Sequence, residues 1–363
     1  MRNNQKCKVN IGFLIYSLDG GGAERMVSRL ANGMYKRGIN VSIIIFEDRN
    51  RAYDINPEIS VYIMDVKRRS RIMRTFSRIK QIHNYIKKEG IDVLFAFTIS
   101  MVPFAILSSM GTKCKIIGTE RTNPKCLKRK YKICIPLFAS FCKGYVFQTS
   151  GAMKCYPKKC QAKGVVIGNI APCIEEIEVF PKEPLTICSA GRLHTDKDFE
   201  TLIRAFKKVN DTIAKTKLDI YGDGPQKKEL IDLAEKLNIA QNINFKGFTR
   251  QLSKELSKYS IFVFSSKAEG MPNTLMEAMA MGLSCVSTDC EFGPSELIDD
   301  GVNGYLVKVK DFDQMAMKII YLLRNDEIRK SMGIRAKEIS EKYSEDNIIN
   351  AYIGYVTEVL KGE

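Results

Sequence analysis

The fold is decided by one segment, residues 261–282, which reads IFVFSSKAEGMPNTLMEAMAMG. Its first six residues form an apolar, strand-like run that ends in two serines. A loop containing Gly270 and Pro272 follows, and a helical pattern begins near Thr274. This order predicts a buried strand, a loop and a helix over residues 274–281.

Two carboxylates flank the predicted start of this helix. Asn273, or the residue beside it, can cap the helix, which leaves the amides of Thr274 and Leu275 available to an anion. Glu269 lies in the loop before these amides. Glu277 lies one turn into the helix, about 6 Å along the axis from the helix start. Carboxylates repel phosphate but accept hydrogen bonds from hydroxyl groups, and a sugar nucleotide carries hydroxyls on both sides of its diphosphate. An amphipathic helix with a surface glutamate explains the same spacing.

Strand-like apolar runs alternate with helical patterns along all 363 residues, and 45% of the residues are hydrophobic. The length predicts two domains, and the alternation predicts an α/β fold of parallel sheets covered by helices. The predicted strands are 9–16, 41–46, 61–64, 93–97, 115–118, 144–148, 164–167, 185–190, 217–221, 243–246, 261–264, 284–288 and 304–307. The predicted helices include 23–37, 74–88, 199–209, 226–237, 274–281, 312–324 and 345–360.

A linker over residues 171–184 divides the chain, because it combines three prolines with acidic residues and has no clear period. The predicted domains are therefore residues 1–170 and 171–344, followed by a helical segment, 345–363. From the pattern alone, this last helix can dock on either domain.

The net charge of +16 is concentrated in the first domain. Residues 1–170 contain 31 Lys and Arg and 10 Asp and Glu, a balance of +21, whereas the remainder contains 26 and 31, a balance of −5. The densest parts are 67–74, with 78, 80, 87 and 88, and 125–132, and apolar residues interleave them. This mixture favours an amphipathic helix on an anionic membrane surface. Nucleic acid and a solvated basic face are the alternatives.

Cysteine usage and the N-terminus indicate a cytosolic protein. The eleven cysteines are scattered and form no Cys-x-x-Cys pair, so we expect free thiols and no zinc. The first eight residues lack the apolar core of a signal peptide, and no run of eighteen apolar residues exists.

Two further loops carry groups that suit phosphate, and a third can line a pocket for a base. Gly21 and Gly22 follow the first predicted strand and open a helix, a weak signal that a tight turn explains equally well. Arg192 follows the strand 185–190, and Lys197 lies just before the next helix. These two residues can form a clamp for a diphosphate, or each can form a salt bridge to a neighbouring aspartate. The Gly222-Asp-Gly-Pro turn, residues 222–225, is a possible wall of a base pocket.

Two Asp-x-Asp triplets, residues 196–198 and 311–313, each precede a predicted helix. Aspartate is a good helix cap, and we therefore expect capping here in preference to metal ligation.

Together these motifs resemble the family 4 retaining glycosyltransferases of the GT-B fold, in particular bacterial members that extend lipid-linked or surface polysaccharides. The resemblance covers nearly the whole chain. It is strongest over 191–306, where GRL…KDF, GDGP, the Glu-x7-Glu pair and DGVNGYL follow in the family's order.

The resemblance implies two facing Rossmann-like domains, with the nucleotide-sugar donor on the second, the acceptor mainly on the first and a final helix that crosses back to the first. The donor-site residues implied are Arg192 and Lys197 for the diphosphate, Glu269 for the sugar, Glu277 for the ribose, Asn273, Thr274 and Leu275 around the phosphate and sugar, and the Gly21–Gly22 loop. Many members carry a histidine after a central strand of the first domain. Here Glu120 or Arg121 stands in that region, and we expect one of them to take over the role of the histidine near the acceptor, with the general base itself unassigned.

We therefore expect a UDP-sugar donor, a polyprenyl-diphosphate-linked acceptor, no metal or other cofactor, no nucleic acid, and a peripheral location at the inner face of the cell membrane. Arg192, Lys197 and the helix N-terminus can stabilise the departing diphosphate, a term of about 3 kcal/mol for each fixed donor. Two alternatives remain: a sugar-nucleotide epimerase of the same fold, and a non-catalytic nucleic-acid-binding module.

Overall fold

A computed structural model describes residues 9–19, 21–48, 51–65, 70–127, 135, 137–138, 140–172 and 185–362. The chain forms two compact units: unit 1, which comprises Met1–Ile170 with Glu345–Glu363, and unit 2, which comprises Ala171–Ser344. Three predicted features lie wholly or mostly outside the described residues. They are the first eight residues, the basic runs 67–69 and 128–132, and positions 173–184 of the linker.

Unit 1 contains a parallel sheet with the order β3-β2-β1-β4-β5-β6-β7. Its strands are β1 (Asn10–Ile15), β2 (Asn40–Ile45), β3 (Ser60–Ile63), β4 (Val93–Phe97), β5 (Lys115–Glu120), β6 (Gly144–Phe147) and β7 (Gly164–Val166). Its first helices are α1 (Gly22–Lys36), α2 (Arg71–Glu89), α3 (Val102–Ser109), α4 (Ser150–Lys154) and α5 (Lys158–Gln161). Every residue of β4 is buried, as expected for a central strand covered on both faces.

Unit 2 contains a second parallel sheet with the order β10-β9-β8-β11-β12-β13. Its strands are β8 (Thr186–Ala190), β9 (Lys217–Tyr221), β10 (Ile243–Gly247), β11 (Ile261–Phe264), β12 (Ser284–Thr288) and β13 (Tyr305–Val307). Its helices are α6 (Phe199–Thr212), α7 (Lys227–Lys236), α8 (Leu252–Leu256), α9 (Asn273–Ala280), α10 (Pro294–Leu297), α11 (Phe312–Arg324), α12 (Asp326–Ala336) and α13 (Ile339–Lys342). The strand order is that of dinucleotide-binding folds, and it reverses between β8 and β11.

The last helix, α14 (Glu345–Lys361), packs in unit 1. Its apolar residues Ile349, Tyr352 and Val356 recur at helical spacing and are buried. The Tyr352 ring lies 5.6 Å from that of Phe95 on β4. The amide of Tyr145 donates to the Tyr355 hydroxyl at 2.9 Å. The core of unit 1 is therefore completed by residues far along the chain.

The predicted fold class is confirmed: both sheets are parallel and all thirteen predicted strands form. Most element boundaries differ from the prediction by one or two residues. The largest helical differences are of three residues: α2 begins earlier than predicted, at Arg71, and α6 ends later than predicted, at Thr212.

Candidate functional site

The loop between β8 and α6 lies where the strand order of unit 2 reverses, at the carboxyl end of β8. Open parallel sheets bind ligands at this position. Arg192 is exposed in this loop, and its side chain has no hydrogen bond or ion pair to the part of the chain that the structure describes. Its five N–H donors are therefore available to an anionic ligand.

Lys197 and Glu269, which are 72 residues apart, form an ion pair in which Nζ and Oε1 are separated by 2.7 Å. The Lys197 ammonium also lies 3.2 Å from Oδ2 of Asp196. The Lys197 and Glu269 side chains are only 17% and 12% exposed, so water screens their interaction weakly. The salt bridge to Asp196, left open by the sequence, is present. The contact with Glu269 is new, because the sequence assigned these two groups to different parts of the ligand.

The pKa values of this cluster follow from its charges. Burial alone would lower the pKa of Lys197, but the charges and hydrogen bonds of Glu269 and Asp196 outweigh burial and raise it. Burial alone would raise the pKa of Asp196, but Lys197 and a hydrogen bond from His194 hold it below its ordinary value. Lys197 and Asp196 are therefore both charged at neutral pH.

The glycines at 222 and 224 support the Arg192 loop by close backbone contact. Gly222 has a φ of 131°, and a Cβ added there would lie 1.9 Å from the carbonyl oxygen of Gly191. A Cβ on Gly224 would lie 2.4 Å from the carbonyl oxygen of Leu193. The amide of Leu193 donates to the Asp223 carbonyl at 3.0 Å. The turn therefore holds the backbone on either side of Arg192.

Helix α9 begins beside Glu269, with Pro272 as its N-cap residue. Its first amides, including those of Thr274 and Leu275, have no acceptor within the helix. The first turn carries no acidic residue. The side chain of Leu275 is buried, so the amide is the polar group that this residue offers. These features suit an anion, and anion binding at this helix end stays a prediction.

Glu277 is buried, with 5% exposure, and is not a surface residue as the amphipathic-helix alternative requires. The Ser253 hydroxyl of α8 lies 3.5 Å from its Oε2 atom. Asn273, one turn before it, is half-buried at the helix start.

Asp198 differs from the expected helix cap. Its side chain makes no capping hydrogen bond to α6. It accepts a hydrogen bond from the Thr201 hydroxyl at 2.8 Å and pairs with Lys267 at 3.0 Å. Asp198 also has a φ of 50°, a strained value for a non-glycine residue. Asp311 does cap α11, because it accepts a hydrogen bond from the amide of Gln314 at 2.8 Å. Sequence reasoning missed Lys267, whose partner becomes evident only from the fold.

In unit 1, Gly21 and Gly22 begin α1, as predicted. A Cβ on Gly21 would lie 2.2 Å from a carboxylate oxygen of Glu24, so this helix end already faces a negative charge. A ligand anion at the Gly21–Gly22 loop would have to displace Glu24.

Glu120 ends β5 and is 1% exposed. Its Oε1 atom accepts hydrogen bonds at 2.8 Å from the amides of Arg121 and Thr122 and from the Thr122 hydroxyl. The Tyr156 hydroxyl donates to Oε2. Burial raises the pKa of Glu120, although these hydrogen bonds oppose the change. The contacts indicate that Glu120 positions the loop after β5, and its catalytic role near the acceptor stays a prediction.

Arg121, the other residue considered near the acceptor, is buried between aromatic rings. Its guanidinium carbon lies 4.7 Å from the centroid of the Phe97 ring and 5.9 Å from that of Tyr352. Its Nη1 atom donates to Asn169 at 3.2 Å. Burial lowers the pKa of Arg121 to about 9, against the opposing charge of Glu120.

Three other features bear on cofactors and membranes. In the described ranges, no three or more His, Cys, Asp and Glu side chains are grouped so that they could hold a metal ion. Seven of the cysteines, at positions 114, 142, 155, 160, 188, 285 and 290, are free thiols. None of the helices described is long and apolar enough to cross a bilayer.

Two family models match the chain, one in each unit. Residues 20–153 match the model described as "Glycosyltransferase Family 4", and residues 173–339 match the model described as "Glycosyl transferases group 1".

Two curated relatives align over nearly their full length. An uncharacterized glycosyltransferase of Haemophilus influenzae is 26% identical over 95% of this chain and 99% of its own. The second, from Campylobacter jejuni, is 28% identical over 95% of this chain and 99% of its own. It is named N-acetylgalactosamine-N,N'-diacetylbacillosaminyl-diphospho-undecaprenol 4-alpha-N-acetylgalactosaminyltransferase.

Among solved structures, Anabaena HepE in complex with UDP superimposes with a TM-score of 0.82 at 17% identity. The match covers 96% of this chain and all of the HepE chain. This likeness shows a shared fold.

Proposed function

Because the chain belongs to the family 4 glycosyltransferases of the GT-B fold, we propose that it transfers a hexose or N-acetylhexosamine from a UDP-sugar to a polyprenyl-diphosphate-linked saccharide or a growing surface polysaccharide. Glycosyl transfer to lipid-linked or surface saccharides is the activity class of its relatives. The proposal adds the donor nucleotide, the acceptor, retention of configuration and independence of metal ions. The observation that carries it is the ion pair of Lys197 with Glu269, beside the N-terminus of α9.

The charge pattern of unit 2 suits a departing nucleoside diphosphate. Cleavage of the anomeric bond places positive charge on the sugar and negative charge on the diphosphate. Arg192, Lys197 and the amides at the start of α9 offer donors to that negative charge, and a fixed donor of this kind contributes about 3 kcal/mol. In this assignment, the protein's own cations do the work that a metal ion does elsewhere.

Glu269 has two roles in the proposed reaction. It holds Lys197 charged and in place, and its remaining acceptor capacity binds hydroxyl groups of the donor sugar. Glu277, deeper in α9, binds the ribose. Retention follows if the acceptor attacks from the face that the diphosphate leaves, because no carboxylate nucleophile is assigned at the anomeric carbon.

Transfer is tested with a panel of nucleotide sugars and a short-chain polyprenyl-diphosphate-linked saccharide, in buffer with EDTA. We expect a product whose new bond has the anomeric configuration of the donor by NMR. An inverted product would contradict the mechanism, and activity lost with EDTA but restored by Mg²⁺ would contradict metal independence. Incubation with UDP-N-acetylglucosamine alone tests the epimerase alternative, which requires an epimer without any acceptor.

We also propose that unit 1 binds the inner membrane surface through α2. Ile72 and Phe76 of this helix are 69% and 68% exposed, and the chain around them is strongly basic. Apolar side chains inserted among anionic headgroups account for both features.

Sedimentation with anionic vesicles tests this part. We expect binding that weakens as salt rises, and a loss of about tenfold for Ile72→Ser/Phe76→Ser. The control is Phe248→Ser in unit 2, which removes a side chain that is 76% exposed. An equal loss of vesicle binding in both variants, or vesicle binding that does not depend on salt, would contradict membrane binding through α2.

A further inference from the structure

Helix α12 of unit 2 carries apolar side chains on two opposite faces. Its inner face is packed tightly, because Met332 is buried and a Cβ added to Gly333 would lie 2.3 Å from a backbone carbonyl oxygen. Its outer face nevertheless carries Ile328 and Ile334, which are 37% and 69% exposed. A surface helix normally presents polar side chains to solvent. The core of unit 2 therefore does not account for these two isoleucines.

The outer face of α12 is symmetric about Ser331. Ile328 and Ile334 lie three residues before and after it, and Glu327 and Arg335 lie four residues before and after it. At 100° per residue, all four side chains point within about 60° of the direction of Ser331. A rotation that exchanges the two ends of this face therefore brings isoleucine level with isoleucine and glutamate level with arginine.

The polar groups of this face are available to a partner. Within the described ranges, the side chains of Glu327, Ser331 and Arg335 make no hydrogen bond or ion pair. Asp326 of the same helix, by contrast, pairs with Lys330 at 2.6 Å. Glu327 and Arg335 stand in the first and last turns of α12, where they suit the helix dipole. The dipole does not require the exposed isoleucines between them.

A groove of about 280 Å³ opens beside this face, between α12 and the loop before β13. Its walls are Gly301 and Val302 of the loop and, from α12, Glu327, Ile328, Ser331, Met332 and Arg335. Val302 is itself 39% exposed, so the groove has an apolar wall that solvent reaches. A cavity of about 150 Å³ already accommodates benzene, so this groove has room for an aliphatic side chain from outside.

We propose that α12 forms the interface of a homodimer, in which α12 of a second copy packs antiparallel to it across a two-fold axis at Ser331. Glu327 of each copy then lies level with Arg335 of the other. Ile328 of each copy enters the groove of the other, because the axis maps the groove side of the helix onto itself. The small side chain of Ser331 at the centre allows the usual interaxial distance of about 8–10 Å.

The charge pattern favours a second copy over other partners. Glu327 and Arg335 give the face no net charge, although the chain carries +16, so the face does not attract anionic lipid or nucleic acid. A two-fold contact requires a surface that is complementary to itself, whereas a partner of different sequence does not. A parallel helix pair is disfavoured, because it would bring like charges together at both positions.

The size of the interface sets the expected strength. Helix α12 has 11 residues and is about 16 Å long. A contact of this length, with the adjoining loop, buries less than the about 1,200 Å² at which stable interfaces begin. We therefore expect a weak dimer that dissociates in the micromolar range. Because the contact is isologous, association should stop at two copies.

Single charge reversals test the pairing of Glu327 with Arg335. Glu327→Arg and Arg335→Glu each leave two like charges on the face, so each homodimer would contain two repelling contacts. In sedimentation velocity on the full chain, we expect each variant to raise the dissociation constant of self-association at least about tenfold. The controls, Glu235→Arg and Lys228→Glu, make the same charge changes at exposed positions of α7 and should stay within about twofold of wild type.

A mixture of the two α12 variants tests the antiparallel geometry. The Glu327→Arg variant presents two positive charges and the Arg335→Glu variant two negative charges, so a pair of one with the other restores both attractive contacts. With a fluorophore on one variant, fluorescence-detected sedimentation should show a heterodimer. We expect its dissociation constant to lie within about threefold of that of the wild-type homodimer.

Ile334→Ser tests the apolar part of the interface. Each dimer buries this side chain twice, so we expect the dissociation constant to rise at least about fivefold. The control is Met110→Ser in unit 1, which removes a side chain that is 66% exposed and should leave association unchanged. Circular dichroism and melting of the dilute proteins check folding, and each Tm should lie within about 2 °C of wild type.

Three results would overturn the dimer. A wild-type chain that stays monomeric up to about 100 µM would leave this face to a different protein. Charge-reversal variants that associate as strongly as wild type would move the contact between copies to another surface. Variants that dissociate but do not recover on mixing would exclude the antiparallel two-fold arrangement. Since all these measurements are made without substrate, their outcome is independent of the proposed transfer reaction.

Discussion

The ion pair of Lys197 with Glu269 has separable effects on stability and catalysis, and a double-mutant cycle measures both. At 2.7 Å and an effective dielectric constant of about 20, the attraction is about 6 kcal/mol before desolvation is subtracted. Loss of one partner of a fully buried pair costs about 3–5 kcal/mol. Because Asp196 still lies 3.2 Å from Lys197, we expect Glu269→Gln to cost less, about 2 kcal/mol, and to lower the Tm by about 4–8 °C.

The activity of the same variant depends on the ligand. A hydrogen bond from a sugar hydroxyl to a charged group contributes about 1.5–3 kcal/mol, so Glu269→Gln should reduce kcat/KM about 10- to 150-fold. In Lys197→Met/Glu269→Gln both mostly buried charges are gone. We therefore expect the double variant to lose less free energy of unfolding than the two single variants together, by at least about 1 kcal/mol. Its transfer activity should stay low, since both groups would contact the donor.

Calorimetric melting and initial rates of transfer on the four proteins complete the cycle. The control is Lys207→Met/Asp211→Asn, an exposed Lys–carboxylate pair on α6, which should change stability by less than about 1 kcal/mol and leave the rate unchanged. Recovery of wild-type activity in the double variant would refute the reasoning, because the pair would then have a purely structural role.

Three further predictions concern single positions. Arg192→Ala should leave the Tm within about 2 °C, because the side chain is exposed and has no partner among the described residues. The same substitution should reduce kcat/KM at least about 100-fold. Retained activity in a transfer assay would remove Arg192 from the donor site. Gly222→Ala should cost about 2–4 kcal/mol in urea unfolding, because the new Cβ meets the Gly191 carbonyl. The control, Gly247→Ala, has a φ of 76° and open space around the new Cβ, and it should cost only about 1–2 kcal/mol. Equal losses would argue against the backbone contact. Burial raises the pKa of Glu120. Its contribution to stability is therefore fully present below the ordinary glutamate pKa and is lost as the pH rises through the pKa of the folded state. The Tm of Glu120→Gln relative to wild type should be higher at pH 8 than at pH 4, and a difference independent of pH would contradict this.

The sequence predicted the sheets better than it predicted the contacts of the candidate site. Period and apolar content determine a strand such as 261–264 locally, so the pattern was sufficient there. The pairing of Lys197 with Glu269 depends on the adjacency of β8 and β11, which a local pattern does not contain. The sequence also treated 197 and 269 as separate ligand groups, because their own neighbours explain each of them.

The same limit applies to α2 and Asp198. The basic and apolar content of residues 71–78 indicated an amphipathic surface helix, but not which side chains face the protein. That direction follows from the core contacts of Ile82 and Ile86 further along the helix. The triplet 196–198 indicated a cap because Asp has that local preference. In the fold, Lys267 provides a stronger partner for Asp198, and the capping bond does not form.

The position of α14 has a consequence for biosynthesis. A ribosome completes residues 171–344 before it makes Tyr352 and Tyr355, which fill the interior of unit 1. Unit 1 therefore stays incompletely packed until α14 has been synthesised, whereas unit 2 can complete its folding earlier. A nascent chain stalled just before residue 345 should bind chaperones through its earliest strands, although those strands were the first to emerge.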